Sequence, residues 1–174
     1  MVAAGVLEAG YVIPTPIQAQ AIPPILKRCD VMGLAQTGTG KTAAFVLPIL
    51  NRLMGTKGGF PRALIMAPTR ELAEQIHQAI EILGRKTRLK SVAVYGGVGI
   101  NPQIQKLKRA DIVVACPGRL LDHIGRKSVD LSQLEVLVLD EADQMLDMGF
   151  IPDIRRILKP LPPKRQTLVF SATM

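Results

Sequence analysis

The sequence predicts an α/β fold, a parallel β-sheet sandwiched by helices, and three observations carry that prediction. Six short apolar runs alternate with amphipathic stretches along the chain. The runs are nearly continuous instead of alternating apolar with polar, which is how strands read when both faces of a parallel sheet are covered. Each chemistry-bearing motif falls at or near the carboxyl end of a run, where ligands bind in such sheets.

The expected strands lie in 30–35 (DVMGLA), 62–68 (RALIMAP), 90–95 (KSVAVY), 110–115 (ADIVVA), 134–140 (LEVLVLD) and 166–172 (QTLVFSA). Helices are expected over 41–54, 70–84, 101–108, 117–125 and 151–159. In RELAEQIHQAIEIL, helical spacing puts Leu72, Ile76, Ile80 and Leu83 on one face and polar groups on the other. Strands alternating with helices make βαβ units, and their crossovers are right-handed. Residues 55–61 (GTKGGFP) read as a flexible loop, and 159–166 (KPLPPKRQ) as a stiff turn. No internal repeat is visible, and residues 1–174 read as a single domain.

Composition narrows the function classes. The 174 residues can enclose one real core. No apolar run approaches the ~20 residues of a membrane span. Residues 1–9 lack the charged opening and cleavage pattern of a signal peptide. Cys29 and Cys116 have no metal-ligand spacing and make no disulfide framework, which fits a reducing, cytoplasmic setting. Cys29 is expected to be a small packing residue, and His77 and His123 ordinary helix-surface or partly buried histidines. A net charge of +8 points to a polyanionic partner, with solubility as the plainer alternative. Aromatic residues are only 3%, and Phe45 and Phe170 sit inside apolar runs. Few rings remain to stack on bases, so a nucleic acid would be held by its backbone. Of two basic runs, 85–90 reads as solvated helix end and loop, whereas 106–109 is an expected extension of the nucleic-acid surface.

Residues 35–42, AQTGTGKT, resemble the Walker A phosphate loop. Gly38 and Gly40 let the backbone of Gln36, Thr37 and Thr39 turn its N–H groups inward, and the following helix adds its positive end. Lys41 would reach the β- and γ-phosphates of ATP, and the Thr42 hydroxyl would hold Mg²⁺. The strict pattern has Gly where this chain has Ala35.

VLVLDEADQML raises a different question, because three carboxylates crowd into four positions at the end of an apolar run. Like charges that close repel and resist desolvation. Mg²⁺ and Lys41 resolve the crowding: Asp140 stands where a second strand of phosphate-loop enzymes supplies an Asp to the metal. Glu141 then becomes the group that polarises the attacking water. The alternative, acidic residues capping the next helix, would suffice if the phosphate loop were absent.

These motifs occur with GYVIPTPIQ (10–18), APTRELA (67–73), GG (96–97), PGR (117–119) and SAT (171–173), in that order. The chain thereby resembles, over essentially its whole length, the first RecA-like lobe of DEAD-box RNA helicases, bacterial ones in particular. The resemblance implies that Gln18 binds the adenine edge, favouring ATP over GTP, in a pocket shaped by Tyr11 and Pro16. It implies that Asp143 bonds Ser171 and Thr173, coupling the nucleotide site to RNA. It implies backbone contacts to RNA from Pro68, Thr69, Arg70, Gly97, Gly118 and Arg119. It also places the SAT strand between the phosphate-loop strand and the DEAD strand.

Three departures matter. The family's upstream adenine-stacking aromatic is expected to lie outside the chain. Cys116 stands where the family usually has Thr before PGR, replacing a hydroxyl by a weaker donor. The chain stops at Met174, so the second lobe with its arginine fingers is expected to be absent. The lobe is then expected to be monomeric, to bind ATP but hydrolyse it slowly, and to bind RNA weakly. Two other readings stay open: a related DNA motor, and an ATP-gated RNA clamp that unwinds little.

Overall fold

A computed structural model describes residues 2–8, 10, 12–55 and 58–173. Helices α1 (Val2–Glu8) and α2 (Pro16–Leu26) come first, followed by strand β1 (Val31–Leu34) and α3 (Lys41–Leu53). Then come β2 (Ala63–Met66), α4 (Arg70–Leu83), β3 (Ser91–Val94), α5 (Ile100–Leu107), β4 (Ile112–Ala115) and α6 (Pro117–Gly125). The chain closes with β5 (Val136–Leu139), α7 (Ala142–Asp147), α8 (Ile151–Leu158) and β6 (Gln166–Ser171). All six expected strands and all five expected helices form; α1, α2 and α7 are additions.

The strands make one sheet in the order β1-β6-β5-β2-β4-β3, and every pairing is parallel. The SAT strand β6 therefore lies between β1 and β5, as the resemblance implied. That order brings the phosphate loop, the DEAD residues and SAT to one edge of the molecule. Side chains alternate across the pleat, so the sheet has two cores. Ala63, Ile65, Ile112, Val114, Val136, Val138, Leu168 and Phe170 pack under α2, α3 and α4. Leu64, Met66, Val92, Val94, Val113 and Leu137 pack against residues of α5 to α8. Phe45 and Phe170 are fully buried, with ring centroids 5.3 Å apart. Ile76, Ile80 and Leu83 are buried on α4 and Leu72 is partly so, which is the expected face.

One expectation fails at the edge. β1 is covered on one face only: Met32 is 71% exposed and Leu34 is 47% exposed. A continuous apolar run does not say whether a helix reaches both of its faces. Cys29 is exposed instead of packed, and its backbone is what is engaged: its N–H donates to Pro24 O at 3.1 Å and its carbonyl accepts from Gln166 Nε2 at 2.6 Å.

Candidate nucleotide site and adjoining rim

The phosphate loop runs from β1 into α3. Gly38 (φ +83°) and Gly40 (φ +88°) both take the left-handed conformation that L side chains resist. At Gly40 space also decides, since a Cβ there would lie 2.6 Å from Gln18 Nε2. The loop is tied down from three sides: Ala35 N donates to Ser171 O at 3.0 Å, Thr39 Oγ1 to Gln36 O at 2.6 Å, and Gln18 Nε2 to Gly40 O at 3.1 Å. Gln36, Thr37 and Gly38 are exposed at its tip.

Lys41 is the first residue of α3 and is only 5% exposed, yet its Nζ is buried without a hydrogen-bond partner among the described residues. An unpaired buried ammonium is costly, so the arrangement suits a ligand that brings its own negative oxygens. Thr42 follows it, partly buried.

Asp140, at the end of β5, is 2% exposed. Burial pushes its carboxyl up to about 6, against the Lys41 ammonium and the Glu141 N–H, which both favour the charged form. The Glu141 and Asp143 carboxylates push the same way as burial. The crowding seen in the sequence is therefore real. Glu141 sits at φ 50°, ψ 51°, a left-handed conformation uncommon outside glycine and asparagine. Such strain persists where the surroundings enforce it; here the Glu141 N–H donates to Asp140 Oδ1 (3.0 Å), and Glu141 Oε1 accepts from Thr37 Oγ1 (3.3 Å). The bend carries the Glu141 carboxylate toward the phosphate loop. Lys41, Thr42, Asp140 and Glu141 thus gather in one place, and a nucleotide with Mg²⁺ fits it: an orphaned ammonium for phosphate, and a hydroxyl and a carboxylate for the metal. Among the described residues no group of three or more His, Cys, Asp or Glu could hold a metal ion.

Asp143 links this site to β6. Its Oδ2 accepts from Thr173 Oγ1 (2.9 Å), Thr173 N (3.0 Å) and Ala172 N (3.2 Å). Burial would raise its carboxyl, but these bonds and the nearby Ser171 hydroxyl win and hold it down to about 2. The Ser171 hydroxyl itself donates to Thr173 O at 2.6 Å, so Ser171 supports Thr173 more than it reaches Asp143.

Gln18 is buried at 3% exposure, with both ends of its amide engaged: Oε1 accepts from Thr15 N (3.0 Å) while Nε2 holds Gly40. An adenine read by this amide has to displace the Gly40 contact. Pro16 is the exposed first residue of α2. Tyr11 lies outside the described residues.

The residues expected to touch RNA form a second rim beside this site. Thr69 caps α4, its Oγ1 accepting from Leu72 N at 3.2 Å, which leaves Arg70 exposed at the helix start. The Arg70 guanidinium lies 4.9 Å from the Tyr95 ring centre, a cation–π distance. It also flanks Gly97 (φ +80°), where an added Cβ would sit 3.9 Å from Arg70 Nη1. Arg119 Nη1 donates to Val98 O at 2.9 Å, and its Nε lies 3.5 Å from Asp122. Gly118 faces open space, whereas Pro68 is buried. Arg70, Gly97, Gly118 and Arg119 therefore share one rim. Cys116 caps α6 without a side-chain bond, and burial, with the Glu71 carboxylate, pushes its thiol up to about 11.

What sequence reasoning missed is the strut behind that rim. His123 is fully buried, a correction to its reading as a helix-surface or partly buried residue. Gln103 Nε2 donates to Tyr95 O (3.0 Å), so its Oε1 must accept from His123 Nε2 (3.1 Å), and His123 Nδ1 meets Ser128 Oγ at 2.8 Å. This chain braces α6 against the turn carrying Gly96 and Gly97. Burial lowers the His123 pKa, as do Arg119 and Arg126, with Asp122 opposing. A depressed histidine contributes stability that is present above its unfolded value near 6.5 and lost as pH falls through the folded one. Melting curves at pH 7.5 and 5 should show His123→Gln losing less stability on acidification than the wild type. Equal losses would remove His123 from the strut.

The basic runs lie elsewhere. Residues 85–90 follow the end of α4 and 106–109 end α5, so both sit at the amino ends of β3 and β4. Helix α5 begins beside Gly97 and runs away from it, so 106–109 does not continue the rim and lies at the opposite end of the sheet.

Comparison with known proteins agrees with this geometry. The profile of the DEAD/DEAH box helicase family matches residues 15–174. The chain belongs to that family. Among DEAD-box relatives, the ATP-dependent RNA helicase CshA of Listeria monocytogenes is 52% identical over 166 residues, covering 95% of this chain and 32% of its own length. RhpA of Helicobacter pylori, named a DEAD-box ATP-dependent RNA helicase, is 50% identical over 97% of this chain and 34% of its own. The chain thus spans about a third of the length of these curated relatives. The crystal structure of a DEAD box protein from Methanococcus jannaschii superposes with a TM-score of 0.95 at 42% identity, over 99% of this chain and 47% of that one. A hypothetical ATP-dependent RNA helicase from Sulfolobus tokodaii gives 0.91 at 42% identity, over 99% and 50%.

Proposed function

We propose that this chain is the ATP-binding RecA-like lobe of an ATP-dependent RNA helicase, an RNA-dependent ATPase that opens short duplexes locally. The observation that carries the reading is the orphaned Lys41 ammonium, buried in a glycine loop at the head of α3 and facing Asp140. ATP is the ligand whose phosphates would fill it. The backbone N–H groups of 36–40 and Lys41 bind and orient the phosphates. Thr42 and Asp140 would hold Mg²⁺, which when bound neutralises charge developing on the phosphates. Glu141 orients the attacking water, and Asp143 relays the state of the site to Thr173.

RNA as partner is supported by the relatives' names and by a rim of exposed arginine and glycine with few rings, suited to backbone and not base contacts. The two cysteines are free, which suits a cytoplasmic protein, and among the described residues no helix is long and apolar enough to cross a membrane. We also place the remaining transition-state contacts on a second RecA-like lobe of the same protein. Arginine fingers of that kind are worth roughly 10³–10⁵ in rate. The test is ATP hydrolysis by this chain with and without single-stranded RNA, beside calorimetry of ATP binding. Binding with negligible turnover is the expected result. Robust RNA-stimulated turnover would show that the site is complete in this lobe.

A further inference from the structure

The positive charge of this chain gathers away from the site just described. At the carboxyl ends of the strands cations and carboxylates are interspersed: Lys41 acts on Asp140, and Arg119 pairs with Asp122. At the opposite end, Arg85, Lys86, Arg88 and Lys90 lead into β3, and all four are exposed. Lys106, Lys108 and Arg109 close α5 just before β4, and are exposed too. β3 and β4 are parallel neighbours, with Ser91 opposite Ile112, so the two runs converge. Between them lies a cavity of about 400 Å³ whose wall includes Arg85, Lys90, Lys106 and Arg109 with the hydroxyls of Thr87 and Ser91.

Little neutralises six of these seven cations. Among the described residues, Arg85, Arg88, Lys90, Lys106, Lys108 and Arg109 make no salt bridge. Glu81, the one carboxylate on the cavity wall, stands 3.8 Å from His77. The neighbouring Asp111 is buried and occupied by Arg62, the Lys90 N–H and the Gly59 N–H. Helix ends attract cations, but each carboxyl terminus carries only about half a negative charge. Two helices end here, which leaves most of those six cations uncompensated.

We propose that this amino-end surface is a second phosphate-backbone site, which takes the RNA strand or duplex arm beyond the rim. The inference rests on the RNA reading above and extends it. The cavity has Ile80 and Leu89 in its wall, but it is hydroxyl-bearing, four cations line it against one carboxylate, and no aromatic ring does. Nucleic-acid interfaces have that character, whereas stable protein interfaces centre on an apolar, aromatic-rich core. Four-residue strands put ~13 Å of sheet, plus loops, between the two surfaces. A short single strand seated on the rim does not reach the cavity, and a longer structured RNA does.

The experiment compares two RNAs by fluorescence anisotropy, a short single strand and the same strand extended by a hairpin, over a salt series with a non-hydrolysable ATP analogue. The variant is Lys106→Ala with Lys108→Ala and Arg109→Ala; Arg88→Ala with Lys90→Ala is a second, and both are melted to check folding. The expected result is unchanged binding of the short strand, at least tenfold weaker binding of the extended RNA, and a salt slope lower by about 2–3. Unchanged binding of the extended RNA, or equal weakening of both RNAs, overturns the proposal. Displacement of the extended RNA by poly-glutamate at matched charge would assign the surface to an acidic protein and also overturn it. If the wild type binds neither RNA, the RNA reading itself fails.

Discussion

Lys41→Ala should lower the affinity for Mg-ATP by about two orders of magnitude. The ammonium is 5% exposed and has no hydrogen-bond partner among the described residues, so phosphate oxygens are the acceptors its position serves. Charge-assisted hydrogen bonds are worth ~1.5–3 kcal/mol each, and ~1.4 kcal/mol is tenfold in affinity. Alanine leaves the loop glycines and the helix dipole in place, so residual binding should persist. A second signature comes from Asp140, whose carboxyl is now restrained by this same ammonium. Without Lys41 its pKa should rise further above the present value of about 6. Titration calorimetry with Mg-ATP and a pH series of melting curves read both effects. An affinity within threefold of the wild type would mean that the loop backbone alone binds the phosphates.

Asp140→Asn should stabilise the nucleotide-free chain while weakening magnesium-dependent nucleotide binding. Burial raises the carboxyl from 3.8 to about 6 in the folded chain. A raised carboxylate contributes stability while protonated, below its unfolded pKa, and that contribution disappears as pH rises through the folded value. At pH 8 the folded chain therefore carries an ionised, buried Asp140 at a cost of roughly 2–3 kcal/mol. Asparagine keeps an oxygen for the Glu141 N–H and removes the charge. In magnesium-free buffer the melting temperature should rise by roughly 5–10 °C at pH 8, and the gain should vanish at pH 4. A variant that melts no higher than the wild type at pH 8, or gains equally at both pH values, would contradict this account. The trade is characteristic of a functional site, where stability is given up for a ligand that arrives later.

Much of this site was legible because its causes are local. A loop that must turn its N–H groups inward needs Gly38 and Gly40, and the helix it feeds announces itself in the next dozen residues. Asp140 and Glu141 follow directly on a four-residue apolar strand. The order of six strands was not local. The resemblance supplied one part of it, the SAT strand between the phosphate-loop and DEAD strands, and the hydrogen-bonded sheet bears that part out.

What stayed hidden involves partners far apart in the chain. Gln18 is held by Gly40, 22 positions away, and His123 is held by Gln103, 20 away. Nothing in the neighbours of His123 marks it as buried, since α6 presents it inward only because α5 lies against it. The exposure of Met32 and Leu34 has the same origin: β1 lies at the sheet edge, and its sequence does not tell how far the second helix layer extends. The basic runs show the contrast most directly. Their charge is plain in the sequence, but whether it faces the nucleotide side or the opposite side depends on the direction in which α4 and α5 run. The sequence alone determined the six strands, five of the helices, the phosphate loop and the acidic pair, because backbone conformation, helix dipoles and apolar periodicity act over a few residues. The tertiary structure alone decided which side chains are buried, which are bonded, and at which end of the sheet the charge collects, because those depend on packing between segments that the chain brings together only when it folds.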